Sequence, residues 1–230
     1  MISENGLTKD GVIPQLWNEY MRSLEFRGGA IFSIKKDHPI IIRREKDGLR
    51  NVYNKYIRSA ATQTSQTAIE LVEEIKDMHD ILFKLVLKDR GQFRKEDRRI
   101  GNPYDETLKL SSPTEIYPKI INFMDWLSQL SEKIYEGSLL EKSYILADIH
   151  LKLVMIHPFL DGNGRIARAV TDKYAIKMGL PTALAAHPRL NKEQQEKYHE
   201  AIYNSQKTGD RTPMMLWIKG YLDRIIEKIA

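Results

Sequence analysis

The sequence predicts a mainly α fold, a helical bundle with a small β-hairpin set into it. Three observations predict this. Ala68, Leu71, Val72, Ile75, Met78, Leu82, Leu85 and Val86 recur at three- and four-residue spacing, the period of a single helix face. Ser112-Pro113-Thr114-Glu115 has the composition of a helix start, with a capping serine, proline at the first position and glutamate three residues on. Leu139 to Ile156 leaves few polar positions and stops at Pro158, the pattern of a deeply buried helix.

Along the chain, Ala30 to Ile34 and Ile40 to Arg43 are β-prone runs around Lys35-Lys36-Asp37-His38-Pro39, which reads as an extra short hairpin with Pro39 at an edge. The first helix starts near Thr67, keeps its apolar face to Lys88 and is broken by Gly91. Between Gln92 and Leu110, the turn-forming Asn102-Pro103-Tyr104-Asp105 separates two short runs, as in a small hairpin. The helix opened by Ser112 carries Ile116, Ile120, Phe123, Met124, Leu127 and Leu130 on one side. Leu140, Tyr144, Ala147, Ile149, Leu151, Val154 and Met155 make the helix from Leu139 to Ile156 the expected most buried element. A further helix runs from Arg165 to Met178, terminated by Gly179 and Pro181. Asn191 caps the next one, and Pro213 lies near the start of the last. This order divides the chain into an N-terminal extension, residues 1–66, and a helical domain, residues 67–230.

Composition bounds the function. The chain has 230 residues, 42% hydrophobic and 29% charged, enough for a real core and a solvated surface. No uncharged apolar run approaches the roughly 18 residues a membrane span needs, and the amino terminus lacks the basic-then-apolar order of a secretory signal. The cysteine count is 0, which excludes disulfides, thiolate metal sites and cysteine nucleophiles and fits a cytoplasmic protein, or one exported by a signal-independent route. The net charge of +5 is mild. The densest basic run, Lys88 to Arg99, also holds Asp89, Glu96 and Asp97, so it reads as solvated surface rather than a nucleic-acid stripe.

The chemistry concentrates in His157-Pro158-Phe159-Leu160-Asp161-Gly162-Asn163-Gly164-Arg165-Ile166-Ala167-Arg168. A loop that opens a helix offers backbone N–H groups with no acceptor inside the helix, and the helix dipole favours an anion there. Gly162 and Gly164 permit positive φ, so several N–H groups can converge on phosphate oxygens. The side-chain amide of Asn163 can donate to the same group. Asp161 is the kind of hard oxygen ligand Mg²⁺ accepts while it bridges phosphates. Arg165 and Arg168, three apart, share a helix face from which guanidiniums can reach outer phosphates. His157 is the group there that can act as a base near neutral pH. Each feature alone is an ordinary turn or a solvated helix face, but a turn at the end of a buried helix has no structural need for two arginines, an aspartate and a histidine together.

At these residues the sequence resembles the Fic family, whose motif HxFx(D/E)GNGRxxR is matched from His157 to Arg168 at every specified position. The resemblance spans roughly residues 67–218 and includes Met78-His79, Gly91-Gln92-Phe93-Arg94, Tyr198-His199-Glu200-Ala201-Ile202 and Gly209-Asp210-Arg211-Thr212-Pro213. It implies a Fic-type helical bundle and Mg²⁺-dependent transfer of AMP from ATP to a hydroxyl side chain of a target protein. By position, His157 would deprotonate the hydroxyl and Asp161 would hold Mg²⁺. Gly162, Asn163 and Gly164 would form the anion hole, Arg165 would bind the β-phosphate region and Arg168 the γ-phosphate. Phe159 would anchor the loop in the core. The hairpin from Arg98 to Leu110 would be the flap on which the target docks, and an adenine pocket would lie near the helix of Tyr198.

Many relatives carry an inhibitory (S/T)xxxE(G/N) helix whose glutamate pairs with the second motif arginine, here Arg168. Gln66-Thr67-Ala68-Ile69-Glu70-Leu71 comes nearest, with Gln at the first position and Leu at the last, which makes Glu70 the inhibitory candidate. The alternatives are no inhibition, control by an antitoxin-like partner protein, or inhibition by another segment. Transfer of UMP, phosphocholine or phosphate, removal of AMP, and a non-catalytic basic binding module remain open as other functions.

Overall fold

The computed structural model describes residues 39–98, 110–130, 136–182, 184 and 192–229. Every regular element among them is helical. Pro39–Val52 forms α1, Ala68–Leu82 α2, Pro113–Ser128 α3, Leu139–Ile156 α4, Asn163–Lys177 α5, Lys192–Thr208 α6 and Thr212–Ile229 α7. A π-helical turn, Tyr53–Ile57, and a 3₁₀ turn, Ala60–Thr62, follow α1. No described helix is long and apolar enough to cross a membrane.

The described chain falls into two compact units, one with residues 39–52 and 76–92, the other with residues 53–75 and 93 onward. In the first unit, the run expected to be a strand at Ile40 to Arg43 is instead the start of α1. Pro39 sits at the first helical position, where its missing N–H and fixed φ cost nothing. Ile41, Gly48 and Val52 are buried at spacings of seven and four, a helical face, while Ile42 is exposed. The local β preference of three isoleucines loses to that longer-range period. Gly48 is required, because a methyl group there would run into the Leu82 carbonyl. The companion run, Ala30 to Ile34, lies outside the described residues, as does most of the hairpin expected at 98–110.

Helix α2 stops at Leu82, short of the expected Lys88. Phe83, Val86 and Leu87 remain buried, but in a turn whose Leu85 has φ 63°. The apolar spacing thus continues past the helix end, because burial demands only that these side chains face inward. Gly91, at φ 72°, donates its N–H to His79 Nδ1 at 2.8 Å and fixes the next change of direction.

In the second unit, α4 packs against α3, α5, α6 and α7, while the two short turns pack on α5. Residues 53–62 therefore join the helical core, through contacts such as Tyr53 Oη donating to the Asp172 carboxylate at 2.6 Å. The predicted capping box opens α3, where the Ser112 N–H donates to Glu115 at 2.7 Å. Ser138 and Glu141 open α4 in the same way. Asp210 caps α7 by accepting from the Thr212 N–H at 2.8 Å.

The most buried helix is α5, not α4 as the apolar content predicts. Leu140 and Met155 of α4 are exposed, whereas Asn163, Thr171, Asp172 and Lys173 of α5 are buried with the apolar residues around them. Buried polar groups persist only when partnered, and each of these four is. Asp172 accepts from Tyr53 and from the Leu184 N–H at 2.7 Å. Lys173 Nζ lies 2.5 and 2.7 Å from the two Glu74 carboxylate oxygens and 2.7 Å from Gln66 Oε1.

Candidate active site

The loop from His157 to Gly162 joins the two central helices, so both of its ends are fixed by the core. His157 closes α4 in a left-handed conformation, φ 50° and ψ 58°. That conformation is uncommon outside glycine and asparagine and persists only when neighbours enforce it. Its N–H donates to the Leu153 carbonyl at 3.0 Å, and its ring Nδ1 lies 3.3 Å from the Val154 carbonyl. Its own carbonyl accepts from Arg94 Nε at 2.7 Å.

Arg94 is the residue that sequence reasoning missed. It lies in the charged run expected to be solvated surface, yet it is buried. Its N–H donates to the Pro158 carbonyl at 2.9 Å, and its guanidinium also donates to the Glu96 carbonyl at 2.6 Å and to the Ser111 carbonyl. It straps the base of the loop to the segments on either side of residues 99–109. Nothing in the composition of the run separates Arg94 from its exposed neighbours; only its place in the resembling segment Gly91-Gln92-Phe93-Arg94 marks it, and that gave it no role. Arg94→Lys keeps the charge but loses the fork. Under the activity proposed below, it is expected to lower kcat by about 10²-fold, the cost of misplacing a reacting group by about 1 Å, and a kcat within error of wild type would show that the strap does not set the position of His157.

Burial, opposed by the Val154 contact, lowers the His157 pKa to about 4, with Arg94 adding to the fall and Asp161 resisting it. The imidazole is therefore neutral and proton-accepting through the physiological range.

Phe159 is fully buried, 5.5 Å from Phe93 between ring centroids. Asn163 braces it, its Oδ1 accepting from the Phe159 N–H and its Nδ2 donating to the Phe159 carbonyl, both at 2.8 Å. The Asn163 side chain was expected to reach an anion; it instead holds the loop shut, since a buried amide is best satisfied by the backbone that crosses it. What Asn163 offers an anion is its backbone N–H in the first turn of α5, with those of Gly164 and Arg165. Gly162 starts the helix at φ 75°, a conformation that favours glycine. Asp161 accepts from the Gly162 N–H at 2.6 Å and stands 3.6 Å from the Arg165 guanidinium.

Arg168 lies on the same helix as Arg165, one turn on. Its guanidinium lies beside Gly164, where a methyl group would sit 3.4 Å from one terminal nitrogen. That nitrogen donates to the Tyr198 hydroxyl at 3.4 Å. Glu70 is not brought to Arg168. It is exposed, and its carboxylate accepts from the Thr67 N–H at 2.8 Å and from the Thr67 hydroxyl at 2.9 Å, capping α2. Threonine followed by glutamate three residues later favours this local closure over a distant pairing.

No group of three or more His, Asp or Glu able to enclose a metal occurs among the described residues. The donor set still fits Mg²⁺, which is commonly held by one carboxylate together with phosphate oxygens and water; Asp161, part-exposed at the loop, is such a carboxylate.

Fold and site together define a helical protein with a glycine-, aspartate- and arginine-bearing loop between its two central helices. Residues 42–175, more than half the chain, match the Fic/DOC family, and the chain belongs to that family. Among curated relatives, a protein adenylyltransferase Fic from Drosophila willistoni is 28% identical over 174 residues, 75% of this chain and 31% of that protein. A protein adenylyltransferase fic-1 from Caenorhabditis elegans is 26% identical over 157 residues, 68% of this chain and 28% of that one. The chain thus spans about a third of the length of the curated relatives it matches. Of solved structures, a Fic-domain signalling protein from Bacteroides thetaiotaomicron superposes with TM-score 0.66 at 16% identity, covering 97% of this chain and 80% of that one. The Bartonella tribocorum effector BepC, with bound AMPPNP, superposes with TM-score 0.60 at 16% identity, covering 96% and 97%.

Proposed function

We propose that the protein is a protein adenylyltransferase. A target hydroxyl gives its proton to His157, its oxygen bonds to the α-phosphorus of ATP, the α–β phosphoanhydride bond breaks and pyrophosphate leaves with the electron pair. The observation that carries this reading is the complete motif on a loop already fixed in place, with a neutral histidine at one end and two arginines along the helix that follows. Backbone N–H groups of residues 163–165 would hold the α- and β-phosphates, with the Arg165 side chain on the β-phosphate region and Arg168 on the γ-phosphate. Most of the rate would come from fixed geometry and charge neutralisation. Asp161 would hold Mg²⁺, which when bound neutralises charge on the phosphates and the leaving group.

The names of the curated relatives, and the ATP analogue in BepC, support a nucleotide donor. The target would dock along residues 98–110. With the Glu70 carboxylate engaged in capping α2, control would fall to a separate antitoxin-like protein.

Incubation with Mg²⁺ and ATP, followed by intact-mass measurement of the protein and of lysate proteins, tests the reading. Addition of AMP is expected. Added mass only from UTP or CDP-choline would place the protein among Fic enzymes that move another group, and no added mass from any donor would remove transfer altogether.

A further inference from the structure

Helices α4, α5 and α6 are tied together beside Arg168 by a chain of polar groups whose direction can be worked out. A guanidinium can only donate, so at 3.4 Å the Tyr198 oxygen accepts from Arg168. The Tyr198 hydroxyl lies 2.8 Å from His150 Nε2, to which it donates in the tautomer of the imidazole that leaves Nε2 unprotonated. A neutral imidazole that accepts at Nε2 carries its proton on Nδ1, and Nδ1 faces Thr171 Oγ1 at 3.5 Å. Thr171 in turn donates to the Ala167 carbonyl at 2.8 Å, which returns the chain to the helix that bears Arg168. His150, Thr171 and Tyr198 are almost wholly buried. Burial raises the Tyr198 pKa while Arg168 opposes the rise, so the phenol is neutral. Its ring is held edge-on by Trp217 at 5.1 Å and tilted against His150 at 5.6 Å.

Apolar side chains of similar volume would fill this space without the desolvation that a tyrosine hydroxyl, an imidazole and a threonine hydroxyl incur. What the polar chain adds is a hydroxyl whose position is set by three helices and whose lone pair is aimed at one nitrogen of Arg168. A free arginine side chain has many rotamers, and ordering it only when a ligand arrives weakens binding.

We infer that Tyr198 is a positioning residue that presents Arg168 to the outermost phosphate of the nucleotide, and that His150 holds the Tyr198 hydroxyl in the orientation this requires. The inference rests on the nucleotide reading above. It assigns a function to a buried tyrosine whose ring alone would satisfy the core.

Tyr198→Phe removes only the oxygen and keeps the ring packing. Binding of ATP and of AMP, each with Mg²⁺, is measured by calorimetry beside the melting temperature and the kcat and KM of transfer. ATP affinity is expected to fall about ten-fold, the loss of one hydrogen bond to a charged group. The KM for ATP should rise by the same factor, with kcat changed less than about two-fold, because the lost contact acts equally before and during the reaction. AMP binding should not change, since AMP lacks the outer phosphates. His150→Phe should shift ATP binding in the same direction, and His150→Gln, which can still accept from the hydroxyl, should restore it.

An unchanged ATP affinity in Tyr198→Phe would overturn the inference. So would equal losses for ATP and AMP with a lowered melting temperature, the mark of a purely structural tyrosine. These results differ from failure of the nucleotide reading, in which the wild-type protein itself shows no preference for ATP over AMP or binds neither; that outcome would overturn both.

Discussion

Replacing His157 with alanine is expected to lower kcat by about 10²- to 10⁴-fold, the usual contribution of a positioned general base, with little change in melting temperature. The asymmetry follows from how the residue is held. The backbone of His157 carries the structural contacts, its N–H to Leu153 and its carbonyl to Arg94, and alanine retains both. The imidazole, by contrast, has among the described residues a long hydrogen-bond contact to Val154 at 3.3 Å, which contributes little to the fold. Transfer by His157→Ala at the wild-type rate, measured with α-labelled ATP, would show that another group takes the proton.

The same residue predicts the pH dependence. A base must be unprotonated, and burial places the His157 pKa at about 4. The acid limb of kcat/KM, which reports the free enzyme, is therefore expected near 4 and not near the ordinary histidine value of about 6.5. The stability consequence has a definite sign. Because the folded pKa lies below the unfolded one, the unfolded chain binds more protons in that window. His157 thus costs progressively more stability as pH falls from about 6.5 towards 4, and is neutral in effect above it. A limb near 6.5 would show that burial does not govern this group.

The largest effect on stability is expected at Lys173. Its side chain is 1% exposed and that of its partner Glu74 7%. Burial lowers the Lys173 pKa and Glu74 raises it again, so the ammonium depends on that carboxylate to remain charged. Lys173→Ala strands a buried carboxylate that, among the described residues, keeps the Gln66 amide as a donor at 2.9 Å. Removing one member of such a pair typically costs about 3–5 kcal/mol. Replacing both, as Lys173→Met with Glu74→Leu, should recover most of that loss, because the desolvation of two charges disappears along with their attraction. Denaturant unfolding of the single and double variants measures it. A single variant within about 1 kcal/mol of wild type would mean that water or a neighbouring group already satisfies Glu74.

How much could be read without coordinates depended on the range of the interactions. The helix starts at Ser112 and at the loop after Asp161 were legible because caps, prolines and glycines act over three or four residues. The site was legible for the same reason: its proposed base, metal ligand, anion cradle and arginines fall within one loop and one helix turn. Glu70 shows where that legibility ends. Its spacing from Thr67 satisfies a local capping box and half satisfies an inhibitory pattern, and the sequence alone does not rank the two.

The sequence by itself determined a helical protein, the positions of most helices from Ser112 onward, and a phosphate-suited loop between two of them. Only the tertiary structure decided that Ile40 to Arg43 is helical, that α5 is more deeply buried than the more apolar α4, and that Asn163 braces the loop with its side chain. It alone showed Arg94 strapping His157, and Tyr198 lying between Arg168 and His150. Apart from the Asn163 brace, which spans four residues, each of these is settled by a partner distant in the chain. A buried lysine, arginine or tyrosine reads as surface until the group that pays for its desolvation can be seen beside it.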